Sequence, residues 1–266
     1  MAREHLRRKQ METIAQSFMF TAIQQEKDTE ITDAEYSLHP LQPGNGIVQV
    51  YVSVDRMEDL GMRFLKVIVS DSDSDDFLLR QFSICFPASM FHQFAESPLI
   101  VTGSTMKEQS EKKGKYTITG KSYGAVFPQF SVEEIAAWTS TDFPSALELQ
   151  SDGLSRWIYL SRNKIELPKG WRVNGDGVLA FADDVTIGDN TVFTGRVIVL
   201  ADRDLHIGSH VQLNKALLLC RGKLTVGTDS IINGAVMAQQ DAVVDENAVI
   251  TGDREVLEPF NSIISY

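Results

Sequence analysis

Cysteine is nearly absent. Cys85 and Cys220 are the only two in 266 residues, too few and too far apart for a disulfide framework or a metal knuckle. Both fall in strand-like runs, where a free cysteine acts as a small buried hydrophobe. Long apolar stretches are also missing: no run reaches the roughly eighteen residues of a helical membrane span, and no basic-then-apolar signal pattern opens the chain. Basic charge is in the minority, with 25 Lys and Arg against 36 Asp and Glu and a net charge of -11. That balance excludes the class of proteins that bind nucleic acid by neutralising phosphates, so no nucleic-acid partner is expected. Serine-hydrolase, phosphate-loop, zinc-protease and CxxC motifs do not occur. No catalytic, cofactor-binding or metal residues are therefore assigned, and no cofactor is expected.

What the chain does have is a repeat. A twelve-residue pattern recurs five times, starting at Ile165, Val185, Leu205, Leu224 and Ala242, in steps of 20, 20, 19 and 18 residues. Aligned, the first column reads Ile165, Val185, Leu205, Leu224, Ala242. The third reads Leu167, Ile187, Ile207, Val226, Val244, and the ninth Val173, Phe193, Leu213, Ile232, Ile250. All three are apolar. Gly188, Gly208 and Gly227 mark a corner in the fourth column, and Asn or Thr followed mostly by Gly marks another at the tenth and eleventh, residue types that tolerate positive φ. Corners so close together exclude a helix.

Such units cannot bury their apolar columns alone and must stack, each coil on the next, with strands about 4.8 Å apart. The expected fold is mainly β: an N-terminal α-helix packed on an antiparallel meander, followed by a single-stranded β-solenoid, with the loose 19- and 20-residue steps favouring a right-handed coil. Three regions follow, 1–97 for helix and meander, 98–156 for degenerate coils with an inserted helical excursion, and 157–266 for the solenoid with a C-terminal cap.

The helix is expected from Arg3 to about Lys27, with Met11, Ile14, Ala15, Phe18 and Ala22 on one face. Its start is basic (Arg3, Arg7, Arg8, Lys9) and its end acidic (Glu26, Asp28, Glu30), the reverse of what the helix dipole favours. A solvated turn or attraction to an anionic membrane surface upstream of Arg3 would each account for that. Strands are expected at 46–55, 61–70 and 77–86; in the first, Val48, Val50, Val52 and Val54 alternate with polar residues. The loop carrying Asp71, Asp73, Asp75 and Asp76 has the carboxylate spacing of a calcium loop without its central Gly and distal Glu, so a solvated hairpin is the plainer reading. From Pro98, the runs PLIVTG, YTITG and GAVF look like solenoid coils beginning near Pro98 and interrupted by 130–155, where VEEIAAW reads as a helix. The tail, with Leu257, Phe260, Ile263, Ile264 and Tyr266, is expected to cap the last coil.

Two groups of polar residues stand out. His206 and His210 could serve as a general base, although His206 lies between inward-facing Leu205 and Ile207 and His210 in a corner, which makes both surface residues. Asp183, Asp184, Asp202 and Asp204 occupy matched positions where stacking gathers like charge; a bound cation or relief by Lys223 are the two readings.

The runs GVLAFADDVTIGDNTVFTGRVIVLADRDLHIG and LTVGTDSIINGAVMA resemble the polymer-forming solenoid repeats of bactofilins and of large minor-pilin-like proteins of type IV pilus systems. The order RRKQMETIAQSFMFTAIQQEKD and then a meander is similar to the pilin-like arrangement just after the membrane-embedded segment. That resemblance implies a non-enzymatic structural or assembly protein, tethered to a membrane or associated with a pilus at the cell surface. Its partners would be proteins or further copies, engaged through helix and solenoid, with a tether upstream of Arg3. A cytoplasmic bactofilin-like scaffold and a hexapeptide-type acyltransferase are the alternatives.

Overall fold

The computed structural model describes residues 2–28, 34–38, 47–56, 63–71, 74–85, 94, 97–103, 118–120, 127, 132, 156–258 and 260–265. The chain forms two units, Met1–Phe86 with Pro259–Tyr266, and Pro87–Glu258.

In the first unit, helix α1 (Ala2–Asp28) buries Met11, Ala15, Met19, Ala22 and Ile23, with Ile14 and Phe18 at the margin. These residues recur at three- and four-residue intervals, so they form one stripe. The stripe lies on alternate residues of an antiparallel sheet of β1 (Ala34–Leu38), β2 (Val48–Arg56), β3 (Arg63–Asp71) and β4 (Ser74–Cys85). Val50 pairs with Val69 and Val52 with Val67, all buried beneath the helix. The three-strand meander is present and gains β1 at its edge, a strand the sequence AEYSL did not announce. β4 starts at Ser74, directly opposite Asp71. Asp71 thus belongs to β3, and Asp75 and Asp76 to β4, while Asp73 lies outside the described residues.

The second unit is a β-solenoid of about five turns. Its strands are β5 (Leu99–Val101), β6 (Ile118–Gly120), β7 (Arg156–Ser161), β8 (Ile165–Leu167), β9 (Arg172–Val173), β10 (Asp176–Phe181), β11 (Val185–Ile187) and β12 (Val192–Ala201). They continue with β13 (Leu205–Ile207), β14 (Gln212–Cys220), β15 (Lys223–Val226), β16 (Ile231–Ala238), β17 (Asp241–Val244) and β18 (Val249–Gly252). All pairings here are parallel. One wall is β8-β11-β13-β15-β17, where Ile165, Val185, Leu205, Leu224 and Ala242 stand in register, as do Leu167, Ile187, Ile207, Val226 and Val244. Val173, Phe193, Leu213, Ile232 and Ile250 form the next ladder. A further interior column, Trp171, Thr191, Val211, Ser230 and Ala248, is equally buried. Its hydroxyls are satisfied internally: Thr191 Oγ1 donates to Pro168 O at 3.3 Å, and Ser230 Oγ donates to Gly208 O at 2.7 Å and accepts from Val211 N at 3.1 Å.

The connectors form the remaining wall. Val197–Ala201 and Ala216–Cys220 are fully buried at every position, not at alternate ones, the pattern of a parallel sheet covered on both faces.

The corners differ from expectation. Positive φ falls throughout the sixth column, at Gly170 (70°), Asn190 (60°), His210 (57°), Asp229 (58°) and Asn247 (60°), and in the expected eleventh column at Gly175 (86°) and Gly234 (157°). The fourth-column glycines are required for close stacking instead: a Cβ on Gly188 would lie 2.6 Å from Leu167 O, and one on Gly227 would lie 2.7 Å from Gly208 C. At the tenth and eleventh columns β12 and β14 run on as continuous strands with a register shift.

The runs after Pro98 do stack as solenoid strands, but at the other end. β5 pairs with the second half of β16, Leu99 with Val236 and Val101 with Ala238, and β6 pairs with β5. Val236 N donates to Pro98 O at 2.8 Å and Thr102 N to Ala238 O at 3.0 Å. The cause lies in the fifth turn: β18 covers only Ile231–Gly234, so a strand from earlier in the chain fills the place of the absent connector. GAVF, KEQSEKKGK and VEEIAAW lie outside the described residues, apart from buried Phe127 and Val132.

The tail divides in two. A 3-10 turn, Arg254–Leu257, is capped by Asp253, whose side chain accepts from Glu255 N. It buries Val256 and Leu257 against β14 and β16. Beyond it, β19 (Phe260–Ser265) pairs antiparallel with β4, so these residues complete the helix-bearing sheet where a cap over the last coil was expected.

Candidate functional site

Both candidate histidines belong to the third coil. In β13, Leu205 and Ile207 point inward with no exposure, which leaves His206 exposed between Thr186 and Thr225 of the flanking coils. His210 holds the left-handed corner. Asn, Asp and His are the side chains that enter this conformation most readily after Gly, and the column Gly170, Asn190, His210, Asp229, Asn247 contains nothing else. Backbone geometry accounts for His210. Its Nδ1 lies 3.9 Å from Asp229 Oδ2, with the imidazole 59% exposed, beyond the roughly 2.6–3.2 Å at which a carboxylate orients a general base.

The acidic cluster is neutralised pairwise across coils. Arg203 Nε lies 3.6 Å from Asp183, Lys164 Nζ 3.5 Å from Asp184, and Arg221 3.1 Å from Asp202. Backbone amides serve the other oxygens: Asp204 N donates to Asp184 Oδ1, and Lys223 N donates to Asp204 Oδ1 at 2.8 Å. Lys223 thus meets this ladder through its main chain, not its ammonium. Among the described residues no group of three or more His, Cys, Asp and Glu side chains is placed to hold a metal ion.

Two further ion contacts link coils. Lys169 and Asp189 pair at 3.0 Å; that hydrogen bond raises the lysine's pKa and, with help from Ser209 N, lowers the aspartate's. Arg196 and Lys215, which sequence reasoning did not single out, hold the exit segment. Arg196 donates from Nη2 to Val256 O at 2.8 Å and to Glu258 O, and Asp176 accepts from its backbone N–H. Burial lowers the pKa of its guanidinium, against the opposing pull of Asp176 and Glu258. Lys215 Nζ lies 3.0 Å from Glu255. The signal was present: Lys215 is the one non-glycine in its column.

Neither cysteine is arranged for chemistry. Burial pushes the Cys220 thiol up to about 12, and its Sγ donates to Arg203 O; Cys85 borders the core under α1. A thiol held neutral is neither a nucleophile nor a metal ligand. In the first unit a groove of about 330 Å³ runs between α1 and β1, lined by Ser17, Phe18, Thr21, Gln25, Ala34 and Tyr36 among others. The Ser17 and Thr21 hydroxyls donate to Thr13 O and Ser17 O within the helix.

No protein-family model matches this chain, and neither a curated protein nor a solved structure is similar to it.

Proposed function

We propose that this chain is a structural and assembly protein, a cell-surface component tethered to a membrane or associated with a pilus. The helix-bearing unit is its assembly module, and the solenoid its rigid spacer or docking surface. The observation that carries the reading is the internal use of the polar candidates in the solenoid other than His206, which is exposed. His210 serves a backbone corner, the aspartates serve inter-coil pairs, and Cys220 serves the core. A chain so arranged resists deformation, because each coil is bonded to the next through main chain, apolar ladder and ion pair together. No described helix is long and apolar enough to cross a membrane, so tethering would rely on another segment or a partner.

The test is fractionation of cells that make the protein from its own gene, followed by native purification. Recovery in the envelope or surface fraction, bound to other proteins, is expected. A monomer confined to the cytoplasm would refute the proposal, as would acyl-CoA turnover lost on His206→Ala.

A further inference from the structure

Strand β1 ends the helix-bearing sheet: the order runs β1-β2-β3-β4-β19, and among the described residues β1 pairs with β2 alone. Its outer edge therefore carries main-chain donors and acceptors with no described strand opposite, a template for a further strand. Folded proteins usually blunt such an edge with lysine, proline, a bulge or an inward charge. The strand reads Ala-Glu-Tyr-Ser-Leu and runs against β2 from Ala34–Val52 to Leu38–Val48 without a register shift. Its one charge, Glu35, is exposed, so none of these guards is present. The two faces are unlike. Tyr36 and Leu38 lie on the helix side, Tyr36 with its ring 4.9 Å from that of Phe18 and Leu38 against the core. Glu35 and Ser37 lie on the other, where Ser37 Oγ donates to Gln49 Oε1 at 2.9 Å. The groove between α1 and β1 has Phe18, Ala34 and Tyr36 in its wall, and Tyr36 is 44% exposed.

We propose that β1 pairs antiparallel with β1 of a second copy about a two-fold axis at Tyr36, joining two sheets into one. The proposal rests on the assembly reading and names its partner and contact. Opposed residues in a regular pairing share a face, so the axis must pass through a residue. An axis at Glu35 would set two carboxylates opposite each other, which is unfavourable. An axis at Ser37 would leave Ala34 and Glu35 with no β1 residue opposite. Tyr36 alone pairs the whole strand: Ala34 with Leu38 of the second copy, Glu35 with its Ser37, and Tyr36 with its Tyr36. On the helix side a small residue then meets a large one at each end, and the two tyrosine rings meet between the two grooves. On the far side each carboxylate faces an uncharged serine. This self-matching is what a two-fold contact requires, and it selects a second copy over an unrelated strand. About four to six main-chain hydrogen bonds form along such a pairing, over less than the roughly 800 Å² per partner of a standard interface. The dimer is accordingly reversible.

The experiment uses the full chain. Sedimentation equilibrium from about 1 to 200 μM is expected to show reversible dimers. Ser37→Glu, which sets a carboxylate opposite Glu35, should weaken them at least tenfold, and Ser37→Lys should tighten them. Combining Glu35→Lys with Ser37→Glu should bring association back to at least the parent's level. Both positions are exposed, so monomer melting should not change. Mild oxidation is expected to cross-link Tyr36→Cys to itself, because opposed Cα atoms lie about 4.5–5.5 Å apart. Glu35→Cys should stay uncross-linked, its counterpart being diagonal and beyond the roughly 7 Å that a disulfide spans. A wild-type monomer at 200 μM overturns the proposal, as do equal effects of Ser37→Glu and Ser37→Lys or equal cross-linking at the two cysteines. Amide protection of 34–38 by a co-purified envelope protein, without any dimer, assigns this edge to a foreign strand and overturns the self-pairing as well. A monomer that still fractionates with envelope proteins sinks this contact alone; a cytoplasmic monomer sinks the assembly reading with it.

Discussion

The two histidines of the third coil are predicted to respond oppositely to one substitution. His210 has φ 57°, and placing an ordinary L-residue there costs about 1–2 kcal/mol, more for a β-branched side chain. Its contact with Asp229, at 3.9 Å and largely exposed, contributes at most a few tenths of a kcal/mol. The backbone term therefore dominates. His210→Val is expected to destabilise the solenoid by about 1–2 kcal/mol, which for a unit of this size lowers Tm by about 2–8 °C. His210→Asn and His210→Gly lose the same contact but keep access to the left-handed region, and should stay within about 0.5 kcal/mol of the parent. His206 occupies an exposed strand position, where valine is welcome, so His206→Val should be neutral within about 0.5 kcal/mol. Differential scanning calorimetry of the four variants at one pH measures all of this. If His210→Val melts with His210→Asn, or if the two valine variants fall together, the corner has been misassigned.

Three other outcomes follow from the same geometry. Gly195→Ala should destabilise by about 1–3 kcal/mol or more, because its Cβ would sit 2.0 Å from Gly175 O and 2.3 Å from Gly175 C; Gly170→Ala, open on all sides but at φ 70°, should cost about 1–2 kcal/mol, and urea titration ranks the pair. Arg196→Met removes the donor that Val256 O and Glu258 O share, costing about 1.5–3 kcal/mol, and should speed hydrogen exchange at 254–258; unchanged exchange there would refute the clamp. The Cys220 pKa rises from 9.0 unfolded to about 12 folded, so its contribution is whole below about pH 9 and is lost as pH climbs towards 12. The stability of the parent should thus fall more steeply than that of Cys220→Ala across that window, and parallel pH curves would show that burial does not control this thiol.

The three apolar ladders were legible because a fixed register repeats the same residue class at Ile187, Ile207, Val226 and Val244 with nothing else competing for those positions. The corner was harder. Its column mixes Gly170, Asn190, His210, Asp229 and Asn247, unlike in charge and alike only in tolerating one backbone conformation, while the more uniform glycines of the fourth column answer to a steric demand between coils. The connectors VIVLA and ALLLC carry the mark of burial on both faces in their lack of alternation, a signal the sequence reading left unused. The partners of Leu99–Val101 and Phe260–Ser265 were not legible at all, since a strand's own residues say that it pairs and not with which distant edge. The same holds for the candidate site. Outward His206 follows from its apolar neighbours, whereas the counter-ions of Asp183, Asp184 and Asp202 depend on which basic residues the coil offset brings alongside.

Because β19 is the closing strand of a sheet begun more than two hundred residues earlier, the helix-bearing sheet leaves the ribosome before the solenoid yet is finished after it. At translation rates of about 5–20 residues per second, the sheet's edge waits roughly ten to forty seconds for its final strand, long enough for the solenoid to be wound in the interval. A chain cut short by even its last eight residues would carry a complete rod and an unsealed sheet. Synthesis beyond the solenoid is thereby written into the fold as a condition for a finished helix-bearing module.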